Sequence, residues 1–167
     1  LSPSGEIRQL AAPITQFGSS PRIVEILVKE GEFVKKGDIL AIFENREKLI
    51  VDLERNDDLV KTINDEIALK KDQIKRYELA LSKDAYSFVQ LSQRKDELLK
   101  LQKQKINLIG DKKNIKIDLF NSKLRSPIDG FILQINTRVG ERPHNEGILN
   151  IGSSQKMEAL IEVYESD

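Results

Sequence analysis

The residues able to do chemistry are few, and their spacing limits them further. His144 is the single histidine, in the run Arg142-Pro143-His144-Asn145-Glu146. A metal site or an acid–base relay needs partners at ligand or hydrogen-bond spacing. The chain has no cysteine to supply a thiolate, and this run reads as a solvated loop. Asp57-Asp58 and Asp65-Glu66 are adjacent carboxylates on a helical pattern. Neighbours on a helix point to different faces, so they do not converge as an acid–base pair. No Ser/His/Asp constellation can be assembled. Gly31, Gly37, Gly130, Gly140 and Gly147 could suggest a phosphate cradle. They match neither a P-loop nor a dinucleotide fingerprint, and none opens a helix. Tight turns between short strands, or close backbone approach, account for them better. Catalysis, metal binding and cofactor binding are all expected to be absent.

Composition narrows the class. The 27 Lys+Arg and 27 Asp+Glu cancel, which disfavours a nucleic-acid binder with a basic surplus. Charged residues make up 32 % of the chain and the hydrophobic set 39 %. The second figure is below the roughly 45–50 % of a single compact globule. Long solvated helices would produce both numbers. No apolar run reaches the ~18 residues needed to span a bilayer. The opening Leu1-Ser2-Pro3-Ser4-Gly5 is no signal peptide and lacks an initiator Met, as expected of a mature or cut fragment.

Gly and Pro divide the chain. Of nine Gly and five Pro, only Gly110 lies between Glu44 and Leu124, a stretch holding 18 Lys/Arg and 15 Asp/Glu. The flanks repeat each other. Arg22-Ile23-Val24-Glu25-Ile26-Leu27-Val28-Lys29-Glu30-Gly31-Glu32 parallels Phe131-Ile132-Leu133-Gln134-Ile135-Asn136-Thr137-Arg138-Val139-Gly140-Glu141 at an offset of 109. The same offset puts Leu40 on Leu149 and Ile42 on Ile151. Each half reads as short strands, the first over Ile23–Val28, Phe33–Val34 and Ile39–Phe43. Neither half can bury its apolar face alone, so the two are expected to pack as one small β-sandwich.

The charged insert has helical period. Val60, Ile63, Ile67, Ile74, Tyr77 and Leu81 follow 3-4 spacing, broken by Lys70. Leu91, Leu98, Leu101, Leu108, Ile115 and Leu119 do the same, broken by Arg94, Lys105 and Lys112. Heptads sustained this long predict a coiled coil. Both ends of the insert must return to one sandwich, so the chain folds back near Ser82-Lys83-Asp84. In an antiparallel hairpin, facing residue numbers sum to a constant. A sum near 168 sets Tyr77 against Leu91, Ile67 against Leu101, Val60 against Leu108 and Leu53 against Ile115, aligning two stripes read independently. Gly110 falls mid-helix, a soft spot costing about 1 kcal/mol relative to Ala.

Val28-Lys29-Glu30-Gly31-Glu32-Phe33-Val34-Lys35-Lys36-Gly37-Asp38-Ile39-Leu40 resembles the first half of a biotinyl/lipoyl domain. Arg125-Ser126-Pro127-Ile128-Asp129-Gly130-Phe131-Ile132 resembles the start of the second half. A lipoyl domain split by a long hairpin is the arrangement of HlyD-type membrane fusion proteins, or periplasmic adaptors. The text looks most like the DevB-type adaptors of cyanobacterial ABC exporters. The resemblance implies an α+β fold: a split lipoyl-like (biotinyl/lipoyl) β-sandwich with an inserted long antiparallel α-helical coiled-coil hairpin. It divides the chain into an N-terminal strand from the barrel side (1–11), a first half-domain (12–43), a hairpin with its tip near 82–87 (44–124) and a second half-domain (125–153). Residues 154–167 would begin a truncated β-barrel.

The resemblance further implies a periplasmic subunit, anchored to the inner membrane in its full-length form. It would join an inner-membrane ABC-type transporter to a TolC-like outer-membrane tunnel and self-associate into a ring, with no nucleic-acid partner and no enzymatic activity. Docking would fall at the tip: Arg76, Ala80, Leu81, Ser82, Lys83, Asp84 and Ser87. Arg76 and Ser87 match the family's Arg and hydroxyl spacing, whereas Ala80 stands where the family has Leu. The plainer alternative for Arg76 is an ion pair with a helix carboxylate. Two other functions stay open. A lipoyl or biotinyl carrier would need a modifiable Lys on a tight hairpin, but Lys48 has no flanking Met and belongs to the emerging helix. A coiled-coil scaffold without a transport role would need only the heptads.

Overall fold

The computed structural model describes residues 2–3, 6–13, 20–80, 85–143, 146–153 and 157–158. His144, Leu81, Ser82, Lys83 and Asp84, and most of 154–167, lie outside the described residues. The elements run β1 (Ser2–Pro3), β2 (Ile7–Leu10), β3 (Ile23–Ile26), β4 (Phe33–Val34), β5 (Ile39–Phe43), α1 (Asn45–Leu79), α2 (Ala85–Asn121), β6 (Lys123–Arg125), β7 (Gly130–Ile135), β8 (Leu149–Ser153) and β9 (Met157–Glu158). They form two compact units: Leu1–Glu47 with Leu119–Asp167, and Lys48–Asp118.

The first unit is the split sandwich. Its sheets have the orders β2-β8-β7-β4 and β3-β5-β6, with β1 paired to β9. β5 and β6 pair antiparallel although the whole insert separates them, with Ala41 opposite Leu124. The core draws on both sheets and both halves: Ile23, Val34, Leu40 and Phe43 from the first, Ile132, Ile148, Leu149 and Ile151 from the second.

The repeat is visible as reciprocal hydrogen bonding. Gly31 N–H donates to the Ile132 carbonyl (2.7 Å), and Gly140 N–H donates to the Ile23 carbonyl (2.8 Å). In return, Ile132 N–H donates to Glu32 O (2.9 Å) and Ile23 N–H to Glu141 O (3.0 Å). Each half's turn thus clasps the first strand of the other half. The turns are built alike. Glu32 accepts from Lys29 N–H and Glu141 from Arg138 N–H, both at 2.9 Å. Gly31 and Gly140 hold φ of +83° and +88°, where a side chain would add strain. Both first strands also shift register at the same place, between Ile23 and Glu25 and between Ile132 and Gln134.

The second strand corrects the sequence alignment. β3 sets Ile23 opposite Phe43, and β7 sets Ile132 opposite Ile151. Ala41 therefore corresponds to Leu149 and Phe43 to Ile151, one residue away from the 109 offset. Leu40, Ala41 and Phe43 are buried like Ile148, Leu149 and Ile151. One residue fewer separates the strands in the second half, and the turn absorbs the difference.

The second unit is the body of the helical hairpin. Helices α1 and α2, of 35 and 37 residues, each extend about 50–55 Å at ~1.5 Å per residue. Ile63, Ile67 and Ile74 are buried along the seam of α1. Lys70 Nζ reaches Glu97 at 2.7 Å, and Lys112 pairs with Asp57. Both pairs have residue numbers summing close to 168, the register of the heptads. Lys70 donates to Glu97 and, with its charge, holds that carboxyl below the usual carboxylate range. Arg94 lies 4.6 Å from the Tyr77 ring centroid, so an aromatic face absorbs a third seam cation. Asn56 also occupies a seam position, three residues beyond Leu53, and is 6 % exposed. A buried amide among aliphatic layers favours one register over its neighbours. Cysteines at Leu53 and Ile115 are expected to close an intramolecular disulfide, since that bond needs Cα atoms within about 7 Å. Cysteines at Leu53 and Leu98 are not. Closure of only the second pair on a non-reducing gel would displace this register.

Candidate docking site at the hairpin tip

α1 ends at the tip because its hydrogen-bond ladder runs out. Ala80 N–H is shared between the Arg76 and Tyr77 carbonyls, both at 3.2 Å. The chain resumes as helix at Ala85. Tyr77 OH donates to the Ser87 carbonyl at 3.4 Å, joining the two arms just below the turn. Lys95 and Glu78 pair across the arms at 2.7 Å.

The expected docking residues occupy different environments. The Arg76 side chain is 80 % exposed and its Nε meets Asp72 at 2.8 Å, a pair within one helix turn. Such an exposed pair contributes little to stability and leaves the guanidinium accessible. Ala80 is exposed beside it. Ser87 is buried, at 8 % exposure, on the seam side of α2. Leu81, Ser82, Lys83 and Asp84 lie outside the described residues.

A second feature at the tip went unread in the sequence. Leu79, Tyr86, Phe88 and Val89 are 82 %, 73 %, 53 % and 56 % exposed. They sit off the seam near the end of the two arms, and exposed apolar side chains such as Leu69, Leu99 and Ile106 also occur further down the helices. The available signal was their heptad position: apolar residues off the seam stripe. Exposed apolar side chains with an accessible arginine suit contact with a complementary protein surface.

Chemistry is sparse elsewhere. No group of three His, Asp or Glu side chains among the described residues is placed to hold a metal ion. Where a carrier domain would present its lysine on a tight hairpin, this chain launches α1 at Asn45, and Lys48 lies exposed within that helix. Glu44 anchors the exit: its N–H donates to the Arg22 carbonyl and its carboxylate accepts from Arg22 N–H, both at 3.0 Å. Ser122 caps the return by donating to Leu119 O at 2.7 Å. No described helix is long and apolar enough to cross a membrane.

Comparison with known proteins agrees with this architecture. No curated protein matches the sequence significantly. Among solved structures, MacA from Actinobacillus actinomycetemcomitans is 18 % identical with a TM-score of 0.69, over 92 % of this chain and 52 % of that one. The membrane fusion protein Spr0693 from Streptococcus pneumoniae is 14 % identical with a TM-score of 0.73, over 90 % and 62 %. The periplasmic adaptor protein EmrA is 12 % identical with a TM-score of 0.56, over 90 % and 73 %. The chain thus spans about half to three-quarters of these structures, and at such identities the likeness is one of fold. The YknX-type barrel-sandwich hybrid domain matches residues 19–152. A split sandwich whose halves clasp each other around an inserted hairpin is therefore no isolated solution, and the chain belongs to the YknX barrel-sandwich hybrid family.

Proposed function

We propose that this chain is the sandwich and hairpin portion of a periplasmic adaptor, or membrane fusion, subunit in a tripartite export system. It links an inner-membrane transporter of the ABC type to a TolC-like outer-membrane tunnel, in the manner of the HlyD-type and DevB-like adaptors. The full-length subunit is anchored to the inner membrane, faces the periplasm and assembles with further copies into a ring. Residues 154–167 lead into its β-barrel. Its work is architectural: it holds a reach of about 50 Å between two membranes and catalyses no reaction.

The observation that carries this reading is the tip. A hairpin of two long helices ends in exposed Leu79, Tyr86, Phe88 and Val89 beside an accessible Arg76. Exposed apolar side chains grouped near a free end beside an accessible cation are the kind of surface a protein partner buries. Docking through Arg76 predicts that Arg76→Glu abolishes export of the native cargo by the full-length subunit, because it places an opposed charge in the contact. The purified variant should keep its stability to within ~0.5 kcal/mol, as an exposed substitution does. Lys116→Glu, an exposed reversal far down the shaft, should leave export largely unchanged. Wild-type export by Arg76→Glu removes that residue from the docking site.

A further inference from the structure

The sandwich unit carries a groove that neither its core nor the tip explains. Residues 11–13, which follow β2, and the strand β6 both line it, and its volume is about 470 Å³. Small-molecule sites fall between roughly 300 and 1,000 Å³. Its apolar lining runs from Phe120, exposed at the surface, past the half-buried Leu124 to the buried Phe43. All of these residues belong to one compact unit.

The charged lining has a single sign. Lys36, Lys123 and Arg125 line the groove, and no carboxylate does. None of the three has an ion pair among the described residues. The Asp129 carboxylate is engaged with the backbone, accepting from Lys36 N–H at 2.7 Å. Arg125 is held on two sides. Its Nη1 donates to the Gly37 carbonyl at 3.1 Å, and its guanidinium carbon lies 5.1 Å from the Phe120 ring centroid. Its Nε is enclosed and has no hydrogen-bond acceptor. Buried donors are nearly always satisfied, so this guanidinium is short of acceptors. A carbonyl and a ring face orient the charge without cancelling it. Three cations therefore converge on one apolar concavity with nothing in the chain to neutralise them.

We propose that this groove binds a small amphipathic carboxylate, such as a medium-chain fatty acid. Lys36, Lys123 and Arg125 receive the carboxylate, and the aliphatic body lies along Phe120 and Leu124 towards Phe43. The cations select an anion over a neutral or cationic ligand. The apolar wall selects a chain-bearing acid over a bare inorganic anion. Hydrogen bonds between ionised partners are the strong ones, and a concavity walled by hydrocarbon screens them less than open water does. A planar guanidinium fixed on an aromatic ring suits a carboxylate better than a freely rotating ammonium would.

Titration of the chain with monomeric sodium decanoate, followed by calorimetry and amide NMR, tests the site. Saturable binding is expected, with shifts concentrated in residues 11–13, at Phe43 and along β6. Acetate has the charge without the chain, and decyltrimethylammonium has the chain with the opposite charge. Each should bind at least about tenfold more weakly than decanoate, since each fills only half of the site. Lys36→Glu combined with Lys123→Glu should weaken decanoate binding at least about tenfold while the circular dichroism and thermal midpoint stay those of the wild type. Arg125 is left in place because it holds the turn at Gly37. Should the double reversal unfold the sandwich, Lys36→Gln with Lys123→Gln removes both charges more gently and should still weaken binding.

Absence of saturable decanoate binding overturns the proposal. So do shifts centred on the exposed apolar residues of the hairpin, equal binding of decyltrimethylammonium, or undiminished binding by the folded lysine variants. Binding to phosphatidylglycerol vesicles without binding to monomeric decanoate also overturns it, and assigns the cations to a membrane surface instead. The measurement makes no use of export, so it stands or falls separately from Arg76→Glu at the tip.

Discussion

Gly130→Ala is expected to unfold the sandwich at temperatures where the wild type is intact. A Cβ at Gly130 would lie 2.1 Å from the Gly152 carbonyl oxygen and 3.0 Å from its carbon, a backbone obstacle that no rotamer change relieves. β7 and β8 would have to part where Gly130 faces Ser153 and Phe131 faces Gly152. Such overpacking typically costs about 1–3 kcal/mol and more where backbone must move, so a loss of about 3 kcal/mol or more is expected. Gly31→Ala gives the contrast. Nothing lies within 4 Å of its added Cβ, and only the left-handed backbone penalises it, by about 1–2 kcal/mol. Chemical denaturation of the two variants ranks them. If Gly31→Ala proves the more damaging, close approach at Gly130 is not what its position demands.

Phe43→Ala should be comparably severe for a different reason. Phe43 is 1 % exposed and stands among the largest fully buried side chains. Truncating a buried Phe costs about 3–5 kcal/mol through lost transfer energy and the cavity left behind. A small domain has only about 5–15 kcal/mol in total. Amide hydrogen exchange should therefore accelerate across β5, β7 and β8, whose core residues share the cluster with Phe43. Phe43→Leu should restore most of the protection, since cores tolerate hydrophobic residues of similar size. Unchanged protection in Phe43→Ala would mean that the core does not depend on this ring.

Local chemistry made much of the fold legible in the sequence. The two halves could be matched because each turn is self-contained: a glycine at positive φ and a glutamate capping an amide three residues back need no distant partner. The hairpin was legible because a seam of sufficient length fixes period and register together. Lys70 with Glu97 and Lys112 with Asp57 fall where the heptads set them. The alignment failed in the second strand for an equally physical reason. Ile39-Leu40-Ala41-Ile42-Phe43 is apolar throughout, so no alternation marks which residues face inward, and a one-residue slip leaves no trace in the pattern.

Asn56 and Gly130 mark the boundary on the polar and the small side. An amide at a seam position reads as surface until a facing helix buries it. A glycine after Asp129 reads as a turn until Gly152 is brought against it. The apolar residues near the tip were written in the sequence as residues off the seam, but only the packing of the two arms shows that Leu79 and Tyr86 stay uncovered. By itself the sequence determined whatever depends on neighbours along the chain: the turns, the helical period and the duplicated halves. The tertiary structure decided whatever depends on approach across it: the clasp between Gly31 and Ile132, the one-residue offset and the close pass at Gly130. Contacts of that kind are set by the distance between strands remote in sequence, which no local pattern encodes.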